Sequence, residues 1–378
     1  MRAVVVGGGA WGLPAAAELA RRGHGVTLVD RFGVANELSS SPGPTRIWRL
    51  AHPDRIRVRL ALRSVDAMER LAERSGTEVF LRRGLLWRDD ETVVAVAAAL
   101  AAEGVEHERV AATEVGEVLA GLRPDGRDAV FQPEAGPVLA AASMAAQQSL
   151  LTMAGGTFEI GRAVREIAVT ANGVRVGGDD GLELRADVVV VAPGPGAVDL
   201  FPMLGVDVPL RPRLEQVVHF GPAGTTVTDD LPCWFEGPAG VDPGLYAMAT
   251  PGRGYKVGLD RPLRDLVDGD VDRTPDPDLL RLASDRVARE LPSLDPAPLD
   301  AQVCSWTVAP DNRFVIDTLP GGIVLAGGDG GEGFKFSALM GEVLADLAEG
   351  ASADTDVASF GLARFADGYP TDEHVLGR

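Results

Sequence analysis

Lys256 and Lys335 are the only lysines in a chain whose lysines and arginines total 36, so every other member of that set is arginine. Lysine is a compact charge whose pKa moves readily with its surroundings, whereas arginine is a permanently charged planar fork. Two positions that keep lysine against such a background are candidates for places where arginine cannot serve. The two cysteines, Cys233 and Cys304, are too few for a disulfide framework and fit a reducing, cytoplasmic setting. A cysteine thiolate is a nucleophile, and a buried thiol is a small hydrophobe. The five histidines, His24, His52, His107, His219 and His374, show no metal-ligand spacing, so neither a metal nor a histidine base is expected.

A second constellation is built from glycine. Gly7, Gly9 and Gly12 fit the pattern G-x-G-x-x-G between an apolar run and a helical stretch. The first glycine permits a tight turn, the second a close approach of backbone to a pyrophosphate, the third close packing of helix on strand. The helix start then offers free N–H groups and the positive end of its dipole to phosphates. Asp30 closes the following strand, where a carboxylate accepts ribose hydroxyls. This predicts a dinucleotide and leaves FAD and NAD both open. A later glycine-rich turn, with Gly328, Gly331 and Gly333, leads into a helix predicted to begin at Lys335. Its N-terminus would face an electron-rich group, and the N1–C2=O edge of a flavin is one.

The elements that must position these groups follow from periodicity. Arg2–Val6, Val26–Asp30, Ala186–Ala192 and Gly322–Ala326 read as buried strands of parallel type. Helices are expected over 13–22, 54–75, 92–103, 138–154, 276–291 and 335–348. Strands are expected over 78–88, 164–169, 173–176, 214–220, 245–250, 255–259 and 301–308, and a loop over 38–45. Parallel α/β signals at the start, middle and end enclose antiparallel ones. That pattern predicts an α/β fold with an α+β second domain: a Rossmann-like nucleotide-binding domain from 1–80, 140–205 and 305–365, and an inserted antiparallel-sheet substrate domain from 81–139 and 206–304.

Composition narrows the partners. A net charge of −19 and a pI near 4.7 disfavour nucleic acid and anionic membrane. No stretch reads as a membrane span, the first residues do not read as a signal peptide, and Val375–Arg378 carry no familiar address signal.

Four segments together resemble the monomeric sarcosine oxidase and N-methyltryptophan oxidase family, within the D-amino-acid-oxidase-like flavoproteins. They are Thr45-Arg46-Ile47-Trp48-Arg49, Tyr255-Lys256-Val257-Gly258, Cys304-Ser305-Trp306-Thr307 with Asp311 and Phe314 beyond, and Gly333-Phe334-Lys335-Phe336. The resemblance runs from Val4 to about Leu347. It implies FAD, attached to Cys304 as an 8α-thioether by addition of the thiolate to the activated flavin methyl. It implies that Lys256 promotes reaction of the reduced cofactor with oxygen, and that Arg49 and Lys335 clamp a substrate carboxylate. Thr45 and Arg46 are implied beside the flavin ring, Ser40 in a loop near the cofactor, and Val164 at the adenine. The implied substrate is a small amine or amino acid, the acceptor oxygen, and the assembly a monomer.

The sequence also departs from that family. Pro42 and Asp260 replace two pocket histidines of the sarcosine oxidases, and Asp329 and Glu332 stand where those enzymes have Phe and His. Trp306 replaces a tyrosine, and Tyr246 is displaced by one residue from the pocket tyrosine. On an extended strand Lys256 and Asp260 share a face, so Asp260 and Trp306 join the candidate catalytic residues. Asp260 is expected either to pair with Lys256 or Arg261 or, with the other added acids, to tune the pocket for a cationic or polar amino acid. These differences argue against sarcosine itself. The expected reaction is oxidation of a carboxylate-bearing amine to an imine with release of hydrogen peroxide. Alternatives are an FAD-dependent dehydrogenase using another acceptor or a carrier-bound amine, a non-catalytic flavin-binding module, and an NAD-dependent dehydrogenase.

Overall fold

The computed structural model describes residues 1–369; His374 and Val375–Arg378 lie outside them. The chain opens with strand β1 (Arg2–Val6), helix α1 (Gly12–Arg21) and strand β2 (Gly25–Asp30), with Gly23 at φ 88° ending the helix turn between them. It continues through β3 (Thr45–Trp48), the long amphipathic helix α2 (Arg55–Ser75) and β4 (Leu85–Arg88). Later elements that matter for the site are β5 (Val188–Val191), β6 (Arg211–Pro222), β7 (Leu245–Thr250), β8 (Gly254–Leu259), β9 (Leu294–Val308), β10 (Ile323–Gly327) and helix α3 (Ser337–Ala348).

Two large sheets organise the molecule. In the first, β10, β5, β1, β2 and Thr157–Ile160 run parallel in that order, and Val315–Leu319 adds an antiparallel edge beyond β10. Helices α1 and α3 pack together on one face, so the valines of β1 and β5 are buried on both sides, as an apolar parallel strand requires. Gly341 lies so close to α1 that a Cβ there would meet Pro14 at 2.7 Å. The second sheet has nine strands among the described residues and is mostly antiparallel, with β6 paired between β8 and β9 towards one end of it. The fold is thus α/β, a Rossmann-like layer joined to an antiparallel-sheet layer. A small two-stranded sheet, β3 with Gly136–Leu139, is separate from both.

Several boundaries differ from those the sequence predicts. The strand expected over 78–88 is extended only from Leu85, because Gly84 adopts φ 77° and turns the chain; Phe80 makes an isolated bridge to Val138. The helix expected from residue 138 starts at Ala140, because Gly136–Leu139 pairs with β3 instead. The helix expected from Lys335 starts at Ser337, after a 3₁₀ turn over Gly333–Phe336, and Ser64 Oγ donates to the Lys335 carbonyl. β9 runs unbroken through residues 304 and 305. No helix among the described residues is long and apolar enough to cross a membrane.

The glycine turn after β1 is fixed sterically. Gly7 has φ 109°, and a Cβ on it would meet the Ala192 carbonyl oxygen at 2.2 Å. A Cβ on Gly12 would lie 2.0 Å from the Gly7 carbonyl oxygen. Overpacking against backbone cannot relax by rotamer change, so Gly12→Ala is expected to lower stability by about 3 kcal/mol. Gly25→Ala, with nothing within 4 Å, should stay within about 0.5 kcal/mol. Thermal denaturation of the two variants checks this, and equal melting temperatures would refute it.

Candidate active site

A long cavity follows the carboxyl ends of the parallel strands. Its wall includes Gly7 and Gly9, Asp30, Ser40, Val164, Gly328 and Gly333. Val164, buried at the start of its strand, and Phe334 also line it. A Cβ on Gly9 would meet nothing closer than Ser41 Oγ, at 3.2 Å, so the backbone there is open to an approaching group. The Asp30 carboxylate is already engaged: Oδ2 accepts from Gly8 N at 2.7 Å, and Oδ1 from Phe32 N at 2.8 Å and Gly33 N at 2.7 Å. Each carboxylate oxygen has two lone pairs, so Asp30 holds the glycine turn and keeps capacity for a ribose hydroxyl at Oδ2. Gly331, at φ 73°, shapes the later turn without lining the cavity, and Gly12 lies beneath it as a packing residue. A curved cleft that passes a glycine turn at a helix start and ends against a second glycine turn has the form an extended dinucleotide such as FAD needs.

β3 connects this cleft to the charged side chains. The Thr45 carbonyl accepts from Lys256 Nζ, and Thr45 Oγ1 lies 2.8 Å from Thr250 Oγ1. Arg46 donates to the carbonyls of Ser40 at 2.9 Å and Pro42 at 2.6 Å, and its guanidinium lies 5.5 Å from the Phe334 ring centre. Pro42 thus contributes its carbonyl where the family has a histidine.

Strand register decides what surrounds Lys256. Lys256 stands opposite His219, Gly258 opposite Tyr246, and Cys304 opposite Glu215. Side chains alternate along a strand, so Lys256, His219, Tyr246, Glu215 and Cys304 share one face of the sheet. Tyr246 donates from its hydroxyl to Glu215 Oε1 at 2.7 Å, and its ring covers Gly258, where a Cβ would approach it to 2.4 Å. Burial drives Lys256 well below the usual lysine range, and Arg46 adds to the effect; Cys304, Cys233 and Glu215 oppose it. Burial likewise raises Cys304, while Arg46 and Lys256 act to lower it. Asp260 lies one residue past β8, its N–H donating to Gly244 O at 2.7 Å, and the groups acting most strongly on Lys256 do not include it. Trp306 is buried 5.9 Å from the Arg213 guanidinium.

Lys335 belongs to a second cluster, around Arg49 at the other end of β3. Arg49 follows β3 directly, stacked over the Trp87 ring at 4.5 Å and the Phe235 ring at 5.2 Å. One guanidinium nitrogen donates to Ala51 O and lies 3.4 Å from His52 Nδ1; the other donates to Glu332 Oε1 at 3.2 Å. Glu332 Oε2 lies 3.6 Å from Lys335 Nζ and 3.4 Å from Arg57 Nε. Burial pulls Lys335 down to about 7, helped by Arg49 and opposed by Glu332. Burial pulls Arg49 down to about 10. His52 is held well below its ordinary range by burial and by the same cations, so its ring is neutral. The two lysines therefore flank one strand without sharing their nearest charges.

Sequence reasoning missed Glu215, Arg57 and His52 as members of these clusters. Their neighbours come from cross-strand register and helix packing, and no local pattern marks them. Two of the added acids have partners within the chain. Asp329 Oδ1 accepts from Thr307 N at 2.8 Å and Glu332 turns into the cationic cluster, so both engage the chain's own groups.

Known proteins share this arrangement of chain. Residues 2–347 match the family model described as DAO, FAD dependent oxidoreductase. The chain is 29% identical to monomeric sarcosine oxidase of Streptomyces avermitilis, over 91% of this chain and 92% of that protein. It is 28% identical to N-methyl-L-tryptophan oxidase of Yersinia pestis, over 96% and 98%. Among solved structures, the open form of NikD, described as an unusual amino acid oxidase essential for nikkomycin biosynthesis, superposes with a TM-score of 0.84 at 28% identity, over 95% of this chain and 96% of that one.

An anion bound between Arg49 and Lys335 needs Lys335 charged. With Lys335 near 7 in the free protein, carboxylate binding should be strongest below pH 7 and weaken towards tenfold per unit above it. The measurement is the dissociation constant of acetate against pH, followed by flavin absorbance. Lys335→Met should flatten the profile, and the same slope in that variant would exclude Lys335 as the titrating group.

Proposed function

The chain belongs to the FAD dependent oxidoreductase family, and from that premise we propose that it oxidises the carbon–nitrogen bond of an amino acid, or of a secondary or cyclic amine bearing a carboxylate, to an imine with release of hydrogen peroxide. It is an FAD-dependent oxidoreductase. The observation that carries the finer reading is the pair of buried basic clusters at the two ends of β3, with Gly333 and Phe334, which line the nucleotide cleft, directly before Lys335. A binding module for FAD alone needs neither.

In this reading, 1–80, 140–205 and 305–365 form the cofactor domain, and 81–139 with 206–304 the substrate domain. Gly7, Gly9, Asp30, Ser40 and Val164 would hold the nucleotide, and Thr45, Arg46, Gly328 and Gly333 the ring end. When bound, FAD supplies the hydride acceptor and passes two electrons to oxygen. Arg49 and Lys335 bind the substrate carboxylate, and the Trp87–Phe235 stack fixes the Arg49 plane. Burial disfavours the charged form of Lys256, so negative charge developing beside it raises its proton affinity and its Nζ takes up a proton. A cation placed there stabilises a nascent oxygen anion. Cys304 is the proposed point of covalent attachment, and the neighbouring cations offset part of the burial that disfavours its thiolate. Trp306 would shape the pocket wall. A supporting part for Asp260 rests only on its position at the end of β8.

Two measurements test this. Oxygen uptake with stoichiometric peroxide should accompany turnover of at least one N-methyl or cyclic amino acid, and turnover only with an artificial acceptor would make the enzyme a dehydrogenase. Lys256→Met should keep its flavin and lose about a hundredfold or more in the rate of reoxidation by oxygen; unchanged reoxidation would reject the role of Lys256. For the linkage, intact mass of denatured protein should exceed the polypeptide by one FAD, and Cys304→Ala should abolish the excess. Flavin that washes out of the denatured native protein would contradict attachment.

A further inference from the structure

The carboxylate of Glu332 occupies the meeting point of three cations drawn from three elements. Arg49 comes from the end of β3, Arg57 from α2, and Lys335 from the 3₁₀ turn before α3. Their distances to the Glu332 oxygens are 3.2, 3.4 and 3.6 Å. Each arginine also has partners elsewhere: Arg49 Nη1 at Ala51 O and His52, and Arg57 at Asp54 at 3.2 Å and Asn312 O at 3.0 Å. Arg49 therefore has one nitrogen aimed at a carboxylate, and a carboxylate of the chain's own is already there. Glu332 is only 7% exposed, so this pairing is internal and not a surface contact.

The segment carrying Glu332 is rich in glycines of left-handed backbone. Gly328, Gly330 and Gly331 have φ of 64°, 58° and 73°, a region where glycine moves without a Cβ penalty. Summing formal charges, Arg49, Arg57 and Lys335 against Glu332 leave the cluster positive, so it attracts a further anion even while Glu332 is seated. Where two carboxylates compete for one guanidinium edge, the one already tethered sets the threshold for the other.

We propose that Glu332 is a specificity-determining residue, a tethered carboxylate that a substrate's carboxylate must displace from Arg49 and Lys335. Small amines whose only anchor is one carboxylate, sarcosine among them, are selected against. Substrates that bring further contacts outside the clamp overcome the competition. This rests on the proposed amine oxidation for its meaning, but its test does not.

The experiment titrates flavin-loaded protein with acetate well below pH 7, where Lys335 is charged, and reads the flavin absorbance. Glu332→Gln keeps the size of the side chain and removes the charge. It should bind acetate at least tenfold more tightly than the native protein. Equal or weaker acetate binding in Glu332→Gln would overturn the proposal. A crystal structure of the native protein soaked in acetate decides the matter without relying on the variant to fold. Acetate on Arg49 and Lys335 with Glu332 swung away supports displacement; acetate there with Glu332 still in place contradicts it. Failure of every amine to reduce the flavin, in native protein and variant alike, would sink the amine-oxidase reading and leave the acetate result standing.

Discussion

Buried positive charge is the constraint around which this molecule is arranged. Arg49, Lys256 and Lys335 are each no more than 3% exposed, and all sit on or against one four-residue strand. Removing an ion from water costs several kcal/mol even after relaxation. The offsets are visible one by one: the Thr45 carbonyl under Lys256, the Ala51 carbonyl and an aromatic stack under Arg49, and a single carboxylate shared by Arg49, Arg57 and Lys335. They remain incomplete, since both lysines stay below the ordinary lysine range. A protein that only had to be stable would place apolar side chains there. Basic groups kept buried at such cost, the two lysines among them easily deprotonated, are what a site for anionic ligands and developing negative charge requires.

The two sheets explain how that charge is delivered to the nucleotide cleft. The parallel sheet ends at the glycine turns after β1 and β10, and the cleft runs along those ends. The antiparallel sheet carries Lys256 and Cys304 on strands that flank β6, so one register fixes both. β3 lies between, paired only with Gly136–Leu139, and its carbonyls and side chains reach both ways. A register slip of one residue in β8 would turn Lys256 to the opposite face, where Tyr255 and Val257 pack in the apolar core.

Much of this is legible in the sequence. The glycines of the first turn, Asp30, and the two surviving lysines each announce a local requirement that only that residue type meets, and a family resemblance ties Arg49 and Cys304 to them. What stays hidden depends on direction and register. Glu332 reads in the sequence only as an added acid before Lys335, and its place among Arg49, Arg57 and Lys335 is set by cations from separate segments of the chain. Tyr246 is out of step with the family by one residue, yet pairing with Gly258 brings its hydroxyl to the buried Glu215. Lys335 is expected to start a helix; a 3₁₀ turn intervenes because Gly333 packs against Trp11, whose indole N–H donates to the Gly333 carbonyl at 2.9 Å. Helix boundaries shift by a residue or two whenever such tertiary bonds compete with the ladder.

At the centre stands the proposal that the buried cations recognise a carboxylate on the molecule being oxidised. Anaerobic mixing of the flavin-loaded protein with paired compounds tests it most directly, each cyclic or N-methyl amino acid beside its decarboxylated amine, with bleaching of the flavin absorbance as the signal. Members of the carboxylate series should bleach the flavin, and their decarboxylated partners should do so at least about a hundredfold more slowly, roughly the loss expected when a charge-assisted pair is left unmatched. Equal rates within the pairs would show that the clamp does not read the substrate.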